Sequence, residues 1–151
     1  MTLSRRTLLK SLISFFSLTL VGGLHVALAA WPKIAFTRNN YRDTVQEITN
    51  NIPLIESQEI YLKAPELAEN GAVVPVSAST TLADVKTIAL VIEKNPIPLA
   101  AKFNFFEETE AFISARIKMA ESCDVIVVVH SGNQYFTTRK FIKVTIGGCG
   151  G

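Results

Sequence analysis

The chain has 151 residues, 48% of them hydrophobic, with 15 basic and 13 acidic side chains and a formal net charge of +2. That length suits a single domain, and the apolar content excludes a disordered chain and is ample for a packed core. Its basic residues form no block long enough to track phosphates, which argues against nucleic acid as a partner.

Residues 4–10 read SRRTLLK, followed by the apolar run Ser11–Leu24 and by Ala27-Leu28-Ala29-Ala30. A positive head, an apolar centre and a small-residue end predict a secretory signal peptide over residues 1–29, cleaved after Ala29. The pair Arg5-Arg6 with Leu8, Leu9 and Lys10 resembles the twin-arginine variety, which a receptor reads as an address. Gly22-Gly23 and His25 interrupt the run and leave it short of the roughly 20 residues a span needs. The expectation is therefore export to the periplasm with no stable membrane anchor. Cleavage removes three of the 15 basic residues and no acids, leaving 12 against 13 and a net charge of −1. The basic balance belongs to the leader.

In the mature chain, Asn39 or Asn40 can cap a helix. Tyr41, Val45, Ile48 and Ile52 then recur as one apolar stripe, and Asn50, Asn51 and Pro53 end it. This predicts one amphipathic helix packed on something larger. Beyond it the pattern changes to period two. Ile60 and Leu62 alternate with Glu59, Tyr61 and Lys63. Ala72–Ala78 is an apolar run whose Pro75 predicts an edge strand or a bulge. Val85–Ile92 precedes a turn at Glu93–Pro96. Leu99, Ala101, Phe103 and Phe105 are expected on one strand face. Ile113, Ala115, Ile117 and Met119 are expected on another, opposite Arg116 and Lys118. Val125–Val129 is a continuous β-branched run, and Ser131-Gly132-Asn133 is a hairpin loop leading into Tyr135–Ile146. About seven strands at this spacing predict an all-β, immunoglobulin-like antiparallel sandwich carried by residues 30–146, with an eight-stranded barrel as the rival.

The ending differs from all of this. Four of the eight glycines flank Cys149, as Gly147, Gly148, Gly150 and Gly151. These residues have no side chains to bury and little to offset the entropy of docking on the sandwich. Residues 147–151 are expected to form a slender, flexible arm that holds a thiol about 10 Å from the fold. A thiol acting in its own pocket would be held rigidly. A thiol presented to other proteins' clefts needs an arm, so Cys149 reads as a carrier handle. The terminal carboxylate two residues away disfavours the thiolate, so activation would come from the receiving enzyme.

Other readings stay open at this level. The tail could be a frayed end with an incidental cysteine. Cys149 could instead bridge Cys123 in a structural disulfide, making the protein an exported immunoglobulin-like binding module. Cys123 opens the Val125–Val129 strand with its side chain on the valines' side, where a buried, inert thiol is expected. His130, Met119 and the cysteines show no metal-ligand spacing. Glu107, Glu108 and Glu110 read as a solvated turn. No nucleophilic triad, phosphate loop or dinucleotide fingerprint occurs, which argues against an independent enzyme and predicts no cofactor.

The segments VTIGGCGG (Val144–Gly151), AENGAVVPV (Ala68–Val76), KNPIPLAAKF (Lys94–Phe103) and ARIKMAES (Ala115–Ser122) resemble the SoxY family over essentially the whole mature chain. The resemblance implies the sulfur-carrier subunit of the periplasmic thiosulfate-oxidising Sox system. Cys149 would be the attachment point for sulfur intermediates and Gly147, Gly148, Gly150 and Gly151 its arm. It implies a SoxZ-type β-sandwich subunit as heterodimer partner. Transient contacts would follow with a haem-containing c-type cytochrome, a sulfate-releasing hydrolase and, in complete systems, a sulfur dehydrogenase. Two positions depart from the family pattern. Cys123 stands where a serine, threonine or similar small residue is usual, and Ile97 where a polar residue is common.

Overall fold

A computed structural model describes residues 35–37 and 39–145. All of them belong to one compact unit. No helix among the described residues is long and apolar enough to cross a membrane.

A 3-10 turn at Ala35–Thr37 leads into α1, Tyr41–Thr49. Of the two candidate caps it is Asn40 that starts the helix, its side-chain oxygen accepting from the Asp43 N–H at 2.8 Å. Asn50 and Asn51 end it with φ of 52° and 63°, a left-handed conformation that asparagine tolerates better than most residues. Ile52 therefore lies beyond the helix and is exposed, while Tyr41, Thr44, Val45 and Ile48 turn inward.

Nine strands follow among the described residues: β1 Leu54–Glu56, β2 Ile60–Lys63, β3 Leu67–Ala68, β4 Val74–Thr80, β5 Val85–Ile92, β6 Leu99–Asn104, β7 Phe112–Ile117, β8 Cys123–Ser131 and β9 Gln134–Val144. They form two sheets, β1-β9-β8-β5-β6 with β3 also on β9, and β2-β4-β7. This is the immunoglobulin-like sandwich and not a barrel. The seven strands expected from period two are all present. The two additional ones, β1 and β3, are three and two residues long and run parallel to β9. Between them the chain leaves the β9 edge, pairs as β2 with β4 in the other sheet, and returns.

The core lies between the sheets. Ile88, Leu90, Ile92, Val125, Val127, Val129 and Ile142 meet Val74, Val76, Ala78, Ile113, Ile117 and Met119. A second apolar layer covers the other face of the large sheet, where Ala89, Val91, Ile126 and Val128 pack with Ala35 and Ile48. Because β5 and β8 are buried on both faces, their sequences read as unbroken apolar runs and not as alternation. The helix stripe is thereby used up inside the domain.

Two strand expectations need correction. Leu99 does not share a face with Phe103 and Phe105; it packs in the helix-side layer and they pack in the sandwich core. The register shifts between Leu90↔Ala101 and Val91↔Leu99, so one extra residue, Ala100, reverses the side on which later residues fall. Pro75 does not mark an edge strand, since β4 is central in its sheet. It pairs with Arg116 of β7, but β2 pairs with β4 no further than Lys63↔Ser77. No β2 residue faces Pro75, so its missing N–H costs no bond on that side.

Candidate functional site

Cys149 and Gly147, Gly148, Gly150 and Gly151 lie outside the described residues, as does the predicted leader. What the structure describes is the place from which that C-terminal segment departs, and it is closely tied.

β9 runs to Val144, and two loops meet its last residues directly. From β3, the carbonyl of Glu66 accepts from the Lys143 N–H at 2.9 Å, and that of Ala68 from the Thr145 N–H at 3.0 Å. From the loop before β8, the Ser122 hydroxyl accepts from the Val144 N–H at 2.9 Å and donates to the Val144 carbonyl at 3.3 Å. Gly71 lies against both, with its carbonyl accepting from the Met119 N–H at 2.7 Å. A Cβ on Gly71 would sit 2.6 Å from the Met119 carbonyl oxygen and 2.8 Å from Val144 Cγ1. The turn after β5 joins the same knot, because Asn95 donates to the Lys118 carbonyl at 2.7 Å and accepts from the Ala120 N–H at 2.9 Å.

Each backbone group of Lys143–Thr145 named here thus has a partner that itself belongs to a fixed loop. The root of the C-terminal segment is held in place by bonds totalling a few kcal/mol, at about 1 kcal/mol each. Sequence reasoning missed this root. Ser122, Asn95 and Gly71 are ordinary residues whose roles exist only once the loops have met.

Cys123 lies at the start of β8 opposite Ile142. Its thiol is free and the residue is 1% exposed, packed in the sandwich core as its strand parity required. Burial pushes the thiol above its ordinary range, opposed by the Lys94 backbone N–H and reinforced by Glu93. It is therefore a poor nucleophile at neutral pH. The sign of the linkage follows. The folded protein holds this proton more tightly than the unfolded chain, whose thiol titrates near 8.5. Its contribution is complete below that value and is lost as pH rises through the folded value. We expect the stability difference between the wild type and Cys123→Ala, measured by urea unfolding under reductant, to shrink between pH 7 and pH 10. A constant difference would contradict a buried neutral thiol.

Among the described residues no group of three or more His, Cys, Asp and Glu side chains is placed to hold a metal ion. His130 is partly buried and stacks on Tyr135, centroids 4.3 Å apart and planes 9° from parallel. Burial, then Lys86 and Lys102, lower its pKa against the pull of Asp84. Glu107, Glu108 and Glu110 are exposed on the β6–β7 loop. Both groups lie toward the β8–β9 hairpin, where Gly132 adopts a φ of 56° and its N–H donates to the Asp84 carbonyl. That is the end of β9 opposite the root.

Compared with known families, residues 45–149 match the model of the sulfur oxidation protein SoxY. Among solved structures, the sulfur carrier protein SoxY from Chlorobium limicola f thiosulfatophilum is 33% identical. That match covers 70% of this chain and 96% of that one with a TM-score of 0.64. A superoxide reductase (neelaredoxin) from Ignicoccus hospitalis is 18% identical over 58% of this chain and 81% of its own, with a TM-score of 0.52. At that identity the likeness is one of fold alone. Among curated proteins, none matches by sequence.

Proposed function

Because the chain belongs to the SoxY family of sulfur oxidation proteins, we propose that it is a non-catalytic carrier holding sulfur intermediates covalently on Cys149. A c-type cytochrome enzyme removes two electrons as the Cys149 sulfur joins the sulfane sulfur of thiosulfate. The thiol proton is released, and the product is the S-thiosulfonate. Water then attacks the terminal sulfonate sulfur in a hydrolase, freeing sulfate and a proton and leaving a persulfide on Cys149. These are the reversible S–S reactions a thiol performs as a handle. Activation of the thiol comes from the receiving enzyme. The leader over residues 1–29 directs folded export by the twin-arginine route to the periplasm, in company with a SoxZ-type β-sandwich subunit.

One observation carries this reading. The family match extends to Cys149, its final residue, while the chain's other cysteine, Cys123, is sealed in the core with a raised pKa. A Cys123–Cys149 bridge would have to draw the tail into that core.

The test is intact-mass spectrometry of the full mature chain. Tetrathionate should transfer one S–SO3 group to the native protein, releasing thiosulfate, and peptide mapping should place it on Cys149. With thiosulfate, the cytochrome enzyme and the hydrolase, a persulfide should appear on the same residue. One reactive thiol is expected in the native protein and two after unfolding. No reactive thiol before reduction in either state would establish the disulfide-bonded binding module instead.

A further inference from the structure

The two outer faces of the sandwich are finished differently. The helix-side layer covers the large sheet, whereas among the described residues no helix or strand lies over the outer face of β2-β4-β7. The residues of that face alternate with the core positions and line up in cross-strand rows. Tyr61, Ser79 and Phe112 form one row, Lys63, Ser77 and Ser114 the next, and Pro75 and Arg116 the third. The third row has no β2 member, because β2 ends at Lys63 and the chain turns away through Ala64 and Pro65. Where the strand stops there is a cavity of about 410 Å3, whose lining includes Lys63, Ala64, Pro65, Pro75, Ser77 and Ser114.

The lining is of two chemical kinds. Ala64, Pro65 and Pro75 offer no side-chain donor or acceptor, and the prolines no backbone N–H. The other three are donors. Ser77 and Ser114 are directly opposed on adjacent strands, so their Cβ atoms lie about 5 Å apart and both hydroxyls can reach oxygens of one small anion. Lys63 flanks Ser77 in the same row, and Arg116 follows Ser114 on the same face of β7. Among the described residues no carboxylate lines the cavity, and the side chains of Lys63, Ser77, Ser114 and Arg116 have no hydrogen bond or ion pair. Two hydroxyls and two cations thus stand together with their bonding capacity unused.

We propose that this cavity is a non-covalent binding site for thiosulfate, with the sulfonate oxygens on Ser77, Ser114 and Lys63 and the terminal sulfur against Ala64, Pro65 and Pro75. Arg116 adds attraction from the neighbouring row. The choice of thiosulfate among such anions rests on the carrier reading above, but its chemistry suits the lining. Sulfate has four equivalent oxygens, one of which would lose its water against the prolines without a replacement bond. Thiosulfate turns a soft, weakly hydrated sulfur to that wall and keeps its oxygens for the donors. No bond forms or breaks at the site, which gathers substrate on the carrier's own surface.

The experiment is isothermal titration of thiosulfate, with no oxidant or cytochrome present, into the full mature chain carrying Cys149→Ala, alone and with its β-sandwich partner subunit. One saturable site is expected, with a dissociation constant on the order of 1 mM or below and sulfate bound roughly tenfold more weakly. The double variant Lys63→Gln, Ser77→Ala should weaken thiosulfate binding roughly tenfold or more, since each change removes a bond to a charged ligand. Lys102→Gln, the same loss of charge on β6 of the other sheet, should bind as the parent does.

Absence of saturable binding, or equal affinity in the double variant and its parent, overturns the proposal. Sulfate binding as tightly as thiosulfate overturns it too, by showing that charge alone is read. Loss of the site when the partner subunit is added does the same, by assigning this face to that subunit. If the double variant melts below its parent, the single variants Lys63→Gln and Ser114→Ala, each expected to weaken binding, decide the matter. None of these outcomes touches the carrier reading, which stands or falls on the labelling of Cys149 in the unsubstituted protein.

Discussion

Replacing Cys149 with alanine is expected to abolish sulfate release from thiosulfate entirely while leaving the melting temperature unchanged; Cys123→Ala should do the reverse. The first loss is total because it removes the only atom to which the proposed cargo is bonded, and no neighbouring group can substitute. Serine at 149 should fail equally, since a hydroxyl forms no S–S bond. Alanine at Cys123 removes one buried sulfur beside Val125 and Ile142 and costs about 1 kcal/mol, with turnover preserved. The opposed signs make the pair diagnostic. Had the two cysteines formed a bridge, either substitution would cost the same 2–4 kcal/mol, roughly, and neither would matter to sulfur chemistry. Parallel thermal unfolding and sulfate-release assays on the two variants measure both quantities. Equal destabilisation by the two changes would refute the carrier reading.

The family resemblance was legible because it resides in local sequence. Four glycines around one thiol need no tertiary contact to be read, nor does the alternation of Ile113, Ala115 and Ile117, or the unbroken Val125–Val129 run. Cys123 was placed correctly because strand parity alone sets its face. What could not be read depends on distant partners. β1 and β3 offer three and two residues, too few to show a period, and become strands only because β9 presents a free edge to them. The shift at Ala100 is invisible in LAAKF, where either alanine could be the extra residue, yet it decides which layer Leu99 joins.

Pro75 shows the same limit from the other side. The rule that proline avoids central strands considers a strand's position in the sheet. What matters is whether a neighbour faces that particular residue, and β2 ends before it does. The root of the C-terminal segment is the largest omission. Its serine, asparagine and glycine come from three loops spread over 52 residues, from Gly71 to Ser122. Only the closed sandwich brings these loops together at the end of β9.

Gly71→Ala should be among the most damaging single substitutions outside the core, costing about 3 kcal/mol, or roughly 10–20 °C in Tm for a domain of this size. The reason is not backbone conformation, because Gly71 is absent from the positive-φ positions. It is space. The added methyl group would meet the Met119 carbonyl oxygen at 2.6 Å and Val144 Cγ1 at 2.8 Å. The side-chain contact can yield by rotation, but the carbonyl belongs to the backbone beside the Gly71–Met119 hydrogen bond and cannot move without breaking it. Gly132→Ala supplies the contrast. There the methyl group meets only Asp84 Oδ2 at 3.9 Å, and the cost is the φ of +56°, about 1–2 kcal/mol. Trimming Val144 to alanine should recover part of the Gly71→Ala loss and none of the Gly132→Ala loss, as a double-mutant cycle in urea would measure. A Gly71→Ala protein that melts within a few degrees of wild type would mean that the loops around the root give way easily and hold nothing in place.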